Sequence, residues 1–187
     1  SSAICCTSGP ETGRHAPSMK GEREMRSIEG KLSGVNLRFC IVVSRFNSLF
    51  SERLLDGAMD MLLRHEVSHQ AIDVIRVPGA WELPLVAKEA ALSGKYDGII
   101  ALGAVIRGDT PHFEYVSAEM SKGLASVALT QRVPVAFGVL TCDTMDQAVA
   151  RSGSKGGNKG AEAALSAIET INVMKQIRTV REDGEHA

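Results

Sequence analysis

Arg107, Gly108, Asp109, Thr110, Pro111 and His112 follow directly on an apolar run from Ile99 to Ile106. A guanidinium, a hydroxyl and an imidazole gathered at the end of a buried strand can hold an anion and move a proton. The backbone amides of Gly108, Asp109 and Thr110, with a helix N-terminus behind them, suit a phosphate. A structural role covers part of the stretch: Thr110 caps the following helix and Pro111 takes its first position. That role leaves Arg107 and His112 without a task, and a histidine placed here serves structure or catalysis about equally often.

Three further stretches carry residue types of the same kind. "PGAWELP" (78–84) sets the one tryptophan, Trp81, beside Glu82 in a glycine-containing turn. The pair reads either as a core aromatic with a helix-starting carboxylate, or as the lining of a pocket for a flat heterocycle. "SRFN" (44–47) repeats the theme with Phe46. "RSGSKGGNKGAEAA" (151–164) reads either as a flexible linker or as an anion-binding concavity, with Arg151, Lys155 and Lys159 converging on glycines ahead of a helix. It does not match a Walker A loop, because its glycines and lysines fall out of register.

The elements that must position these groups repeat along the chain. Residues 37–43, 72–77, 97–106 and 133–140 are short, apolar and partly β-branched, and read as strands buried on both faces. Helices are expected over 51–65, 82–95, 113–132, 144–153 and 160–177. In the first, Leu54, Leu55, Ala58, Met61 and Leu62 share one face; in the second, Pro84 sits in the first turn and Gly94 marks the stop. Strands alternating with helices predict an α/β fold, a mainly parallel four-stranded sheet in a three-layer α/β/α arrangement wound by right-handed crossovers. Ligands bind beyond the carboxyl ends of such strands. The suspect loops are then "SRFNSL", "PGAWE", "RGDTPH" and "TCDTM". An additional strand over 28–34 is expected ahead of the core, pairing with another chain.

The totals set limits on function. At 187 residues one domain is expected, over 28–178, between a disordered extension (1–27) and a polar tail (179–187). The net charge of −1 and scattered Lys and Arg offer no field to draw in nucleic acid or a membrane surface. No apolar run reaches the roughly 18 residues that a membrane helix needs. Cys5, Cys6, Cys40 and Cys142 lack metal-ligand spacing, which points to free thiols in a reducing compartment and to no metal site.

"SRFN", "PGAWELP", "GAVIRGDTPHFEYV", "FGVLTCDTMDQA" and "RSGSKGGNKGAEAA" occur in this order, and together they resemble the 6,7-dimethyl-8-ribityllumazine synthase (lumazine synthase) family. The resemblance covers about residues 28 to 177. It implies a flavodoxin-like fold and a transferase that condenses 5-amino-6-(D-ribitylamino)uracil with 3,4-dihydroxy-2-butanone 4-phosphate, releasing phosphate and water without metal or organic cofactor. The product would pass to riboflavin synthase. By matching position, Phe46 would stack on the pyrimidine, while Ala80, Trp81 and Glu82 hold the ribityl chain. Ala104, Val105 and Ile106 would present backbone groups to the pyrimidine edge. Asp109 and Thr110 would meet the phosphate and His112 would shuttle protons.

Phe137 and Arg151 would complete the site from the neighbouring subunit, with Arg151 on the phosphate. Lys159 and Glu162 match positions near the ring and the histidine. Trp81 departs from the pattern, standing where the family often has Phe or another apolar residue. The resemblance also implies a homopentamer. The lack of an insertion at "SGSKGGNKGAEAA" favours the packed sixty-subunit shell. The expected setting is the cytoplasm, or a plastid if the extension is a transit-peptide remnant. Two other classes stay open: a flavin-binding module without turnover, and an inactive shell-forming protein.

Overall fold

The computed structural model describes residues 25–185. Most of the expected N-terminal extension, with Cys5 and Cys6, lies outside the described residues. Four strands form one parallel sheet: β1 (Phe39–Ser44), β2 (Ile72–Val77), β3 (Gly98–Ile106) and β4 (Val135–Cys142), in the order β2-β1-β3-β4. Five helices complete the three layers: α1 (Ser48–Arg64), α2 (Leu83–Leu92), α3 (His112–Gln131), α4 (Met145–Arg151) and α5 (Lys159–Glu185).

The unbroken apolar run of β3 follows from its place between two cores. Ile100 and Leu102 pack with Leu54 and Leu62 of α1 and Ala164 and Ile168 of α5. Ile99 and Ala101, on the opposite face, pack with Leu83 and Ala87 of α2 and Met120 and Leu124 of α3. Each large side chain buried this way stabilises the fold by about 1.5–3 kcal/mol. Two-sided burial does not extend to β2, contrary to the pattern read from its sequence. It is an edge strand, and Asp73, Val74 and Arg76 are exposed.

Three boundaries move for identifiable reasons. β4 begins at Val135 because Pro134 has no amide to donate, though its carbonyl accepts from Ile99 N at 2.9 Å. α1 starts at Ser48, behind Asn47 in the left-handed conformation (φ 57°). α5 continues to Glu185, through most of the segment expected as a polar tail. Residues 28–34 take no ladder among the described residues. Instead Asn172 of α5 donates to Lys31 O and Ser33 O, and Gln176 donates to Glu29 O, tying the segment across that helix.

The stretch 151–158 is neither a loose linker nor a simple helix end. Ser152–Ser154 and Gly157–Asn158 form a small antiparallel hairpin, β5 and β6. Asn158 then anchors it: its amide nitrogen donates to Arg53 O of α1 at 2.8 Å, and its side-chain oxygen accepts Gly160 N at 2.9 Å. Gly160 is required by close approach, since a Cβ there would lie 2.0 Å from Leu54 O.

Candidate active site

β1 pairs with β2 on one side and β3 on the other, so the loops leaving β1 and β3 diverge and open a crevice at the carboxyl end of the sheet. The loop after β1 is laced to the loop after β2 by Arg45 N→Val77 O (2.8 Å) and Phe46 N→Pro78 O (3.0 Å). Asn47 spans the crevice: its left-handed backbone turns the side chain to donate to Ala104 O on β3 at 2.9 Å. These contacts leave Phe46 71% exposed, its ring facing the opening.

After β2 a single 3-10 turn over Ala80–Glu82 leads into α2, with Pro84 in the first turn of the helix. Glu82 closes the turn by accepting Gly79 N at 2.9 Å. Trp81 therefore stands outside the core, 57% exposed, and the reading of it as a core tryptophan is overturned. Gly94, in the left-handed region (φ 65°), stops the segment as its position implied.

The loop from β3 to α3 departs from its expected capping. α3 begins at His112; Pro111 holds the cap position and no side chain caps the helix. Thr110 is exposed and its hydroxyl is not used by the helix. The leading amides of α3 thus have no side-chain cap, a setting that favours an anion, though Glu114 N is already taken by Pro111 O at 3.0 Å. Arg107 gains the task its sequence context withheld. Its Nε donates to Asp143 at 2.7 Å, an Nη donates to Glu114 at 3.0 Å, and the guanidinium lies 4.4 Å over the Phe113 ring. Those two carboxylates hold Arg107 firmly in its protonated form.

The resulting cleft encloses about 840 Å³. Of the residues singled out from sequence, Phe46, Ala80, Trp81, Glu82, Ala104, Val105, Ile106, Thr110 and His112 line it together. Asp109 lies exposed between two lining residues, Gly108 and Thr110. Phe137, Arg151, Lys159 and Glu162 do not line the cleft of their own chain. Phe137 sits on β4 in register with Ala101 and is 38% exposed. Arg151 ends α4, exposed, while Lys159 and Glu162 pair with each other at 2.9 Å in the first turn of α5. Sequence reasoning passed over Asn47 and Tyr115, both in the lining. The Tyr115 position, one turn beyond Pro111 on the face of His112, was a usable signal; the αL bridge of Asn47 was not.

The rest of the chemistry is quiet. Burial pushes the Cys40 thiol up to about 12, helped by nearby Asp73, and raises Cys142 as well, so neither supplies a thiolate. Among the described residues no group of three or more His, Cys, Asp or Glu side chains could hold a metal ion, and no helix is long and apolar enough to cross a membrane.

A parallel sheet in the order β2-β1-β3-β4, with an aromatic-lined cleft at its switch point, defines a flavodoxin-like α/β protein. The class narrows further: the sequence profile of 6,7-dimethyl-8-ribityllumazine synthase matches residues 36–175, and the chain belongs to that family. Membership places it in riboflavin biosynthesis, among transferase-type enzymes.

Proposed function

We propose that this cleft condenses 5-amino-6-(D-ribitylamino)uracil with 3,4-dihydroxy-2-butanone 4-phosphate to give 6,7-dimethyl-8-ribityllumazine, with release of phosphate and water. One observation carries the reading: Phe46, Trp81, Glu82, Thr110 and His112, from three separate loops, share a single cleft. Phe46 stacks on the pyrimidine, and the backbone of Ala104, Val105 and Ile106 meets its polar edge. Ala80, Trp81 and Glu82 receive the ribityl chain, whose hydroxyls donate to the Glu82 carboxylate.

Thr110, the backbone amide of Asp109 and the leading amides of α3 receive the phosphate. His112, at the first position of that helix, then lies between phosphate and pyrimidine. From there it carries protons through imine formation, phosphate elimination and ring closure. Positioning two substrates side by side supplies much of the acceleration, since well-oriented pairs reach effective molarities on the order of 10⁵ M or more. No cofactor or metal enters the scheme.

Phe137 and Arg151 lie outside the cleft of their own chain, which supports a site completed by a neighbour: Arg151 on the phosphate, Phe137 against the ring, Lys159 and Glu162 nearby. The assembly is a homopentamer, packed further into a sixty-subunit shell, with residues 28–34 adding to an edge of the adjoining subunit. Leu85 and Leu129, 66% and 81% exposed, supply apolar surface for such contacts. The product passes to riboflavin synthase, and the buried free thiols suit a reducing setting such as the cytoplasm or a plastid.

The single tryptophan provides the test. Titrating the ribitylaminouracil should quench Trp81 fluorescence saturably. Phe46→Ala should weaken that binding by about three- to tenfold, the worth of one stacking contact. Fluorescence that ignores the pyrimidine at every concentration would overturn the assignment.

A further inference from the structure

Resting on the phosphate site proposed above, we infer that Arg107 is a positioning residue that shields the incoming phosphate from Glu114 and Asp143 and fixes the first turn of α3. Arg107 does not line the cleft itself, so it is not offered as a substrate contact. Its connections reach three separate pieces of the molecule. Its backbone nitrogen donates to Cys142 O at 2.9 Å, joining the end of β3 to the end of β4. The side chain bonds Asp143, in the loop after β4, and Glu114, in the first turn of α3. The guanidinium face covers Phe113, a residue of the cleft wall next to His112.

Among the described residues the Asp109 and Thr110 side chains, by contrast, make no hydrogen bonds, and residues 108–110 span exposed from Arg107 to Pro111. Among the described contacts, the loop proposed to receive phosphate is anchored at its start by Arg107 and at its end by the turn Glu114 N→Pro111 O (3.0 Å). The charge count points the same way. Asp109, Glu114 and Asp143 set three carboxylates around the loop proposed for phosphate, outside the cleft lining, and Arg107 is the cation bound to two of them. Without it, like charge would face the substrate and weaken its capture.

The two functions of the side chain separate by substitution. Arg107→Gln should raise KM for the phosphate-bearing substrate by about tenfold, leave KM for the pyrimidine within about twofold, and lose most of its penalty at about 1 M salt, where screening acts within about 3 Å. Adding Glu114→Gln and Asp143→Asn to Arg107→Gln should restore most of the phosphate affinity, because the charges that needed shielding are gone. Arg107→Lys, which keeps the charge and loses the two-pronged geometry, should fall between. Inorganic phosphate titrated calorimetrically onto the assembled proteins gives the same comparison without turnover.

Equal rises in both KM values, or no recovery in the triple variant, would overturn the shielding role even if every variant folds. Should Arg107→Gln fail to assemble, Arg107→Lys and Glu114→Gln decide it: an unchanged phosphate affinity in both contradicts the inference. Wild-type protein that makes no lumazine yet binds phosphate in an Arg107-dependent way would contradict the reaction while sustaining this inference.

Discussion

Thr110 and Trp81 show how a residue's type can suggest one role while its surroundings assign another. Both were open to structural explanations, as helix cap and core aromatic. Both stand free at the cleft because Pro111 takes the cap position and a 3-10 turn carries Trp81 outward. Arg151 and His112 differ in what can replace them. In the proposed reaction, bulk water reaches the exposed His112 and can take over part of its proton traffic, whereas nothing replaces a charge-assisted grip by Arg151 on the leaving phosphate. Arg151→Ala should therefore lower kcat/KM by on the order of a hundredfold, more than His112→Ala does, in steady-state assays with both substrates varied. Equal or reversed losses would count against the positioning account. Away from the site, Tyr96 donates to Asp73 at 2.7 Å, and this bond with burial pushes its phenol up to about 12 from the usual value near 10. The folded state then holds a proton that the unfolded state releases. This contribution to stability is complete below about pH 10 and vanishes as pH rises through about 12. Denaturation midpoints measured across that window should fall in the wild type and fall less in Tyr96→Phe.

At the level of elements, what could be read from the sequence was what depends on periodicity. The four strands and five helices fall where apolar spacing placed them, and the loops after three of the strands meet at the cleft. What could not be read depends on partners distant in sequence. β2 has the apolar content of an inner strand yet lies at an edge. The hairpin over 152–158 looks like a linker because its order comes from Asn158 bridging to Arg53, a residue 105 positions away. The tie of residues 28–34 to α5 likewise comes from Asn172 and Gln176, partners 139 to 147 positions away. The close approach of α5 to α1 gives an element-scale prediction. Gly160→Ala should destabilise the fold by about 1–3 kcal/mol, because its new methyl cannot coexist with Leu54 O and the helix must shift. Urea denaturation of both proteins checks this, and an unchanged midpoint would show that α5 relaxes freely.

For the whole molecule, the division of the site residues matters most. One chain gathers Phe46, Trp81, Thr110 and His112 in a cleft and carries Phe137 and Arg151 elsewhere, as a ring of identical subunits would need. If neighbours complete each other's sites, co-assembling His112→Ala with Arg151→Ala should give more activity than the average of the two variants alone, because some interfaces pair two intact halves. The two variants assembled separately and then mixed should show only the average of their separate activities.

The activity proposed for this cleft is lumazine formation. Its most direct test is to mix the assembled protein with the ribitylaminouracil and the butanone phosphate and to follow lumazine absorbance and phosphate release together. The expected result is protein-dependent formation of both in equal amounts. Product no faster than the uncatalysed background, from protein shown to be assembled, would contradict the claim and leave a flavin-binding or shell-forming role in its place.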